Sequence, residues 1–218
     1  MKNSGIDGTL NTDSLTESLI APYRRPLESS MKEIVARTDA EAIKGLPESS
    51  MGNLVADLLL EGANRRYSKK VDLAFLNTGG LRVEWQAGNI SRAMVYELMP
   101  FENESEVVEL RGAQVRILLN QVAARGGAPV AGTKFAINGD RAVNILIGEK
   151  TLNDTALYVL TSTDYLLNNG DKYEMPLFEK RTSLNVKFRD LLLDELARKN
   201  QEGRIIHPAK DGRIYAAH

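Results

Sequence analysis

A short apolar run that ends in a glycine pair and an arginine constrains this chain more than any other segment. Val71-Asp72-Leu73-Ala74-Phe75-Leu76 has the length and composition of a buried β-strand, and Asn77-Thr78-Gly79-Gly80-Leu81-Arg82 follows it directly. Glycine lets the backbone approach a ligand closely, and arginine offers a planar, permanently charged fork for a phosphate or carboxylate. The sequence therefore predicts a strand that leads into a candidate anion site.

Predicted helices and strands are interspersed along the whole chain. A first helix is expected to begin at Thr12 or Ser14, with Pro22 and Pro26 bending or interrupting it. Further helices are predicted after Pro47, from Ser91 to Leu98, around residues 115–122 and from Ser183 onward; strands are predicted near residues 34–39, 71–76, 106–110, 134–137, 142–147 and 156–161, with a last strand or arm at 205–215. We expect one α/β-mixed (α+β) domain over residues 15–218, preceded by a flexible polar arm at residues 1–14.

The composition excludes several classes of function. Lys and Arg total 28 against 29 Asp and Glu, so the net charge of −1 offers no basic footprint for nucleic acid or for an acidic membrane surface. No apolar run approaches the ~20 residues that span a bilayer. Cysteine is absent, and the two histidines are His207 and the C-terminal His218. We therefore expect no disulfide, no thiolate chemistry and no metal bound by this chain, and a structural or surface role for His207.

The first residues bear on location. Met1-Lys2-Asn3-Ser4-Gly5 lacks the apolar core of a secretion signal. Either the protein stays inside the cell or a leader has been removed, and the polar run at residues 3–14 is what would follow a removed leader.

Four motifs follow one another in a fixed order. They are Glu48-Ser49-Ser50-Met51-Gly52-Asn53-Leu54 with Asp57, the 77–82 segment, Met99-Pro100-Phe101-Glu102-Asn103, and Asn168-Asn169-Gly170-Asp171. This series resembles the C-terminal domain of the 5'-nucleotidase family, which includes the bacterial UDP-sugar hydrolases, over residues 15–215. The resemblance implies that family's fold, with mixed sheets flanked by helices.

The resemblance also implies a function. In that family an N-terminal metallophosphoesterase domain carries two metal ions, and the C-terminal domain binds the nucleoside part of the substrate and delivers it by a domain rotation. Asn77 and Arg82 would contact ribose or phosphate, and Asp171 the ribose hydroxyls. Phe101 and Tyr165 would sandwich the base, with Tyr165 where the family usually has phenylalanine. The implied substrate-binding residues are Asn77, Gly79, Gly80, Arg82, Phe101, Asn103, Tyr165 and Asp171, with Asn103 at the base edge.

The chemistry of these residue types agrees with that assignment. A base stacked on an aromatic ring gains ~1–3 kcal/mol whatever its identity. An aspartate facing sugar hydroxyls selects a ribose in dinucleotide sites. The alternative for Phe101 and Tyr165 is a place in the core, as for most aromatic residues. Both adjoin turn-like segments, which favours the stacking role.

Two departures from the family pattern affect the site. Arginines that many members carry before the Glu-Ser-x-Met-Gly-Asn motif align here with Glu41 and Gly45, so part of a phosphate clamp is missing; Lys44 offers only a point charge. The family's Gly-Gly-Asp-Gly loop is Asn169-Gly170-Asp171-Lys172 here. Asparagine tolerates the left-handed backbone conformation, so the loop is expected to survive.

The metallophosphoesterase motifs, Asp-x-His and Gly-Asn-His-Glu, are absent from the sequence. The first hypothesis is therefore a substrate-recognition subunit whose metals are carried by a separately encoded metallophosphoesterase partner. The second is a non-catalytic module that binds a nucleoside or nucleotide, and a third is a scaffold that binds neither. The resemblance implies a periplasmic, cell-envelope or secreted location and leaves a cytoplasmic one open.

Overall fold

A computed structural model describes residues 14–217, which divide into two units at the Glu33–Ile34 junction. The first unit contains helix α1 (Ser14–Met31), which continues through Pro22 and Pro26. Each proline removes one backbone hydrogen bond from the helix interior. The predicted flexible arm at residues 1–14 lies outside the described residues except for Ser14, the first residue of α1.

The second unit contains the remaining helices and strands. The helices are α2 (Ser50–Arg66), α3 (Arg92–Leu98), α4 (Gly112–Ala124), α5 (Asp164–Leu167) and α6 (Phe188–Gln201). The strands are β1 (Ile34–Thr38), β2 (Leu73–Phe75), β3 (Gly88–Ser91), β4 (Glu104–Arg111), β5 (Val130–Ala131), β6 (Thr133–Asn138), β7 (Arg141–Ile147), β8 (Lys150–Thr151), β9 (Leu157–Thr163), β10 (Lys180–Lys187) and β11 (Ile214–Ala216).

These strands form three sheets. The largest has the order β10-β4-β9-β2-β5, in which only β2 and β9 are parallel. A four-stranded sheet has the order β11-β6-β7-β8, and β1 pairs with β3. Parallel and antiparallel pairs thus coexist in mixed sheets that pack against helices, and the predicted α/β-mixed (α+β) fold class is confirmed.

Strand β2 is buried on both faces of the large sheet. Its Leu73 and Phe75 belong to a core cluster with α4 and the four-stranded sheet, whereas Ala74 belongs to a second cluster with α2, α3 and α6. Successive strand residues point to opposite faces, so a strand covered on both sides needs a continuous apolar run. This explains why the sequence around β2 is apolar without alternation.

The prediction that a helix begins at Ser183 is wrong. Residues 180–187 form β10, with Lys180 opposite Glu109 and Ser183 opposite Glu106 on β4, and α6 begins at Phe188. The Ser183 hydroxyl accepts a hydrogen bond from the Asn185 amide (2.9 Å), and Asn185 has a φ of 54°. A serine that bonds to a nearby backbone amide serves a turn as well as a helix cap, so the local signal was misread.

The Glu48–Asn53 motif fastens α2 to the C-terminal segment. Ser49 caps the helix by accepting from the Gly52 amide (3.0 Å). The Glu48 carboxylate accepts from the Asn53 side chain (2.6 Å) and from the backbone amides of Asp211 (2.7 Å) and Gly212 (3.1 Å). This motif, one of the four that carry the family resemblance, therefore stabilises the fold through these contacts.

Asp57 contributes a second link to the same segment. Its carboxylate receives two hydrogen bonds from the Arg213 guanidinium, at 2.7 and 3.0 Å, and Arg213 also pairs with Asp211 (2.7 Å). Burial raises the pKa of Asp57, and the bonds from Arg213 oppose that rise. The ion pair holds the chain leading to β11 against α2.

We predict that Glu48→Ala lowers the free energy of unfolding by about 2 kcal/mol, because it removes the charged acceptor shared by the Asn53 side chain and the amides of Asp211 and Gly212. Urea unfolding followed by circular dichroism measures the change. The control is Glu97→Ala, at an exposed position of α3, which should stay within about 0.5 kcal/mol of the original protein. Equal effects of the two substitutions would contradict the structural role of Glu48.

Candidate functional site

One cavity of about 300 Å³ brings together every residue of the predicted substrate-binding set. Its lining is Asn77, Gly79, Gly80, Arg82, Phe101, Asn103, Tyr165 and Asp171. These residues span nearly a hundred positions of sequence, so their convergence comes from the fold and not from local order. Their roles toward a ligand stay predictions.

The topology of the large sheet explains the convergence. Strands β2 and β9 are parallel neighbours, and β4 runs antiparallel to β9 on its other side. The carboxyl ends of β2 and β9 therefore meet the amino end of β4 at one edge of the sheet. Residues 77–82 follow β2, Asn103 precedes β4, and Tyr165 follows β9. Three loops from three adjacent strands thus form one site.

A hydrogen-bond network holds Asp171 at the centre of this edge. The Asn77 side-chain amide donates to Asp171 Oδ2. The Tyr165 hydroxyl donates to Asp171 Oδ1 (2.8 Å) and accepts from the Asp171 backbone amide (3.0 Å). Gly170 has no room for a side chain, since a Cβ there would lie 2.5 Å from the Tyr165 ring. The Tyr165 hydroxyl, a group that phenylalanine lacks, thus forms two of the hydrogen bonds that hold Asp171.

The altered loop adopts the expected backbone. Asn169 is left-handed (φ 66°), and its side-chain oxygen accepts from the Met175 amide (2.9 Å). Asp171 and Lys172 also have positive φ values, 51° and 59°. Non-glycine residues adopt this conformation at a cost, and here the Tyr165 and Asn77 contacts to Asp171 offset it.

Both aromatic residues are exposed at the cavity. Phe101 is 38% exposed and Tyr165 is 44% exposed, so neither is a core residue. The Arg82 guanidinium lies 5.9 Å from the centre of the Phe101 ring, and its Nη1 donates to the Gly79 carbonyl (3.3 Å). The cavity therefore presents aromatic surface and a cation together.

Sequence reasoning missed Arg189, which forms hydrogen bonds with the loop that contains Phe101 and Glu102. This residue of α6 is 7% exposed, and its guanidinium stacks 4.1 Å from the centre of the Tyr96 ring. It donates to the Phe101 carbonyl (3.4 Å) and to the Glu102 carboxylate. The sequence shows an arginine in the first turn of α6, but the carboxylate that it binds, Glu102, lies 87 residues away in the chain. Local sequence patterns therefore do not reveal its role.

Lys44 lies beside the site and not in its lining. Its ammonium donates to the carbonyls of Leu81 and Arg82, both at 3.4 Å. Glu41 and Gly45 are both exposed and neither lines the cavity. The point charge expected of Lys44 is therefore directed to the backbone of the 77–82 segment.

Metal ligands are not gathered in residues 14–217: no group of three or more His, Asp or Glu side chains there has the arrangement of a metal site. His207 bonds through Nδ1 to Asp39 (2.8 Å) at the surface. His218 lies outside the described residues.

Comparison with known proteins assigns the chain to a family. The family model described as 5'-nucleotidase, C-terminal domain, matches residues 32–177, which include the whole lining of the cavity. The chain belongs to the 5'-nucleotidase C-terminal domain family.

Curated relatives and solved structures agree with this assignment. A 5'-nucleotidase of Vibrio parahaemolyticus is 26% identical over 178 residues, covering 77% of this chain and 31% of the relative. The trifunctional nucleotide phosphoesterase protein YfkN of Bacillus subtilis is 30% identical over 175 residues, covering 70% of this chain and 12% of the relative. The crystal structure of a 5'-nucleotidase precursor from Thermus thermophilus shares the fold, with a TM-score of 0.76 and 21% identity over 94% of this chain and 43% of that one. The chain thus spans a third or less of the length of these curated relatives.

Among the helices within residues 14–217, none has the length and apolar character needed to cross a membrane.

We predict that Tyr165→Phe loosens the 169–173 loop, because it removes both hydrogen bonds between the tyrosine hydroxyl and Asp171. Amide hydrogen exchange of that loop should accelerate by about fivefold to tenfold, which corresponds to about 1 kcal/mol. Tyr215→Phe is the control, since within the described part of the chain the Tyr215 hydroxyl has no hydrogen-bond partner. Unchanged exchange in Tyr165→Phe would show that the hydroxyl does not hold the loop.

Proposed function

We propose that this domain recognises a nucleotide through its nucleoside part and positions it for hydrolysis by a dimetal phosphoesterase domain that lies outside these 218 residues. The observation that carries the proposal is the shared cavity of Phe101 and Tyr165. Two exposed rings line the same space as a carboxylate, two side-chain amides and a guanidinium. Membership of the 5'-nucleotidase C-terminal domain family supports it.

Four of the lining side chains match parts of a nucleoside. The rings of Phe101 and Tyr165 offer stacking surfaces that accept any base. Asn103 provides an amide that can donate to and accept from the edge of a base. Asp171 provides acceptors for ribose hydroxyls, because its network with Asn77 and Tyr165 fixes the position of its carboxylate. Base and sugar would thus lie between Phe101 and Asp171.

The chemistry of hydrolysis is assigned to the partner domain. Two divalent metals there would supply the activated water and stabilise the charge that develops on the phosphoryl group. This chain would contribute orientation, which by itself accelerates a reaction between bound groups. The relatives named 5'-nucleotidase and nucleotide phosphoesterase are much longer than this chain, which supports this division. An extracytoplasmic location forms part of the same proposal.

A second candidate is a module that binds a nucleoside without hydrolysis. The observation that favours it is the absence of arginine at positions 41 and 45, where Glu41 and Gly45 stand. A binder of uncharged nucleosides needs no phosphate clamp. Isothermal titration with adenosine and AMP separates the two: a clear preference for AMP supports the nucleotidase role, and equal affinities support the binding module.

We predict that Phe101→Ala weakens adenosine binding by about fivefold to 150-fold, the equivalent of ~1–3 kcal/mol of lost stacking. Isothermal titration calorimetry measures the dissociation constant. Tyr215→Ala removes an aromatic ring of similar exposure, 37%, that does not line the cavity, and should leave binding unchanged. Equal affinities of the Phe101→Ala variant and the original protein would overturn the stacking role.

We also predict that the purified chain alone releases no phosphate from AMP, with or without added divalent metal, because its part of the reaction is orientation. Phosphate release is measured colorimetrically over the course of an hour. A preparation that hydrolyses AMP by itself, with the activity following the chain on gel filtration, would contradict the division between two domains.

A further inference from the structure

A second cavity of about 370 Å³ adjoins the first across a shared wall. Asn77, Gly79 and Asp171 line both cavities. On the far side of that wall the second cavity is lined by Arg125 and Lys172, together with the ring of Tyr173 and the turn at Leu46. Neither cation was among the residues that the sequence pointed to.

The fold places Arg125 in this cavity through the end of α4. The helix closes with hydrogen bonds from the Gly126 and Gly127 amides to the carbonyls of Ala123 and Val122, both 2.9 Å. Gly127 has a φ of 123°, and a Cβ there would lie 2.2 Å from the Pro47 carbonyl oxygen. Only glycine permits this approach, which brings the end of α4 against the Leu46–Pro47 turn.

The Arg125 guanidinium is held but not neutralised. It stacks 3.8 Å from the centre of the Tyr173 ring and donates through Nη2 to the Lys172 carbonyl (2.6 Å). Tyr173 is itself fixed edge-on against Phe75 of β2, with ring centres 4.8 Å apart. Within residues 14–217, neither Arg125 nor Lys172 forms an ion pair with a carboxylate. The remaining donors of both side chains are available to an anion.

Asp171 is the acidic residue in the lining of this cavity, and both of its carboxylate oxygens accept hydrogen bonds from other side chains. One carboxylate oxygen receives the Asn77 amide and the other receives the Tyr165 hydroxyl. Hydrogen bonds from neutral donors leave the charge of this carboxylate in place, so two cations against one carboxylate give the lining of the second cavity a positive charge.

We propose that Arg125 and Lys172 form an anion subsite that binds the phosphate of the same nucleotide whose base lies in the first cavity. The assignment rests on the proposed function. A nucleotide has its base, ribose and phosphate in that order, and the wall shared by the two cavities contains Asp171, the residue assigned to the ribose. In this proposal a phosphate attached to that ribose would extend past Asp171 toward Arg125 and Lys172.

The subsite also separates the role of Arg82 from that of Arg125. Arg82 lines the first cavity beside the Phe101 ring, and Arg125 and Lys172 line the second. Leu46 lines the second cavity and is the neighbour of Gly45 in the chain, so these cations lie near the segment where the resemblance leads us to expect an arginine. They provide positive charge there from different elements of the fold.

The test uses the full chain with the double substitution Arg125→Gln and Lys172→Asn. Asparagine tolerates the left-handed backbone of position 172. Arg125→Lys keeps the charge while changing the stacking, and Arg141→Gln removes one exposed charge that lines neither cavity. Each variant is titrated by calorimetry at low ionic strength, where charge contributions are largest.

The first probe is inorganic pyrophosphate, which reports on the subsite without a nucleoside. The double variant should bind it at least about tenfold more weakly than the original protein, while Arg141→Gln is unchanged and Arg125→Lys keeps most of the affinity. Absence of pyrophosphate binding to the original protein, or equal binding to the double variant, would overturn the subsite.

The second probe is the pair adenosine and AMP. The double variant should bind AMP about tenfold more weakly and adenosine with unchanged affinity. Unchanged AMP binding, or equal loss of both ligands, overturns the subsite while the proposed function stands. If neither ligand binds the original protein, the proposed function fails, and the pyrophosphate titration still decides the subsite.

Discussion

The parallel pairing of β2 with β9 is the constraint on which the candidate site depends. Leu73 lies opposite Leu160 and Ala74 opposite Thr161, so both strands deliver their carboxyl ends to one edge of the large sheet. The antiparallel β4 adds its amino end at the same place. Because each of these strands is buried on at least one face, their register cannot slip without exposing core residues. The fixed register of these strands therefore also fixes the positions of the loops attached to them.

The motifs that carry the family resemblance have two different structural roles. Glu48 and Asn53 bond to the backbone of the C-terminal segment and hold it against α2, and Ser49 caps α2. Asn77 and Asp171 instead bond to one another at the edge of the cavity. The first group of contacts stabilises the fold, whereas the second lies at the candidate site.

Sequence patterns predicted the parts of the molecule that depend on local order. The helices predicted after Pro47 and from Ser91 are present, capped by Ser49 and Ser91, and the apolar run before Asn77 is a buried strand. The eight lining residues were collected by resemblance, since periodicity places no two loops together. Residues 180–187 were misread because pairing with β4 decides their conformation, and the turn signal at Ser183 is local. Arg189 was missed because its partner, Glu102, is also distant in the sequence.

The arginines show why a site of this kind cannot be found from residue type alone. Arg65, Arg66 and Arg198 bond to carboxylates between α2 and α6, and these pairs hold the two helices together. Arg82 and Arg125 lie against aromatic rings, and in the part of the chain that the structure describes neither bonds to a carboxylate. A guanidinium that stacks on a ring is fixed in place yet keeps donors at its edge. Ion pairing uses those donors inside the protein, so the surroundings decide which arginines remain able to bind an anion.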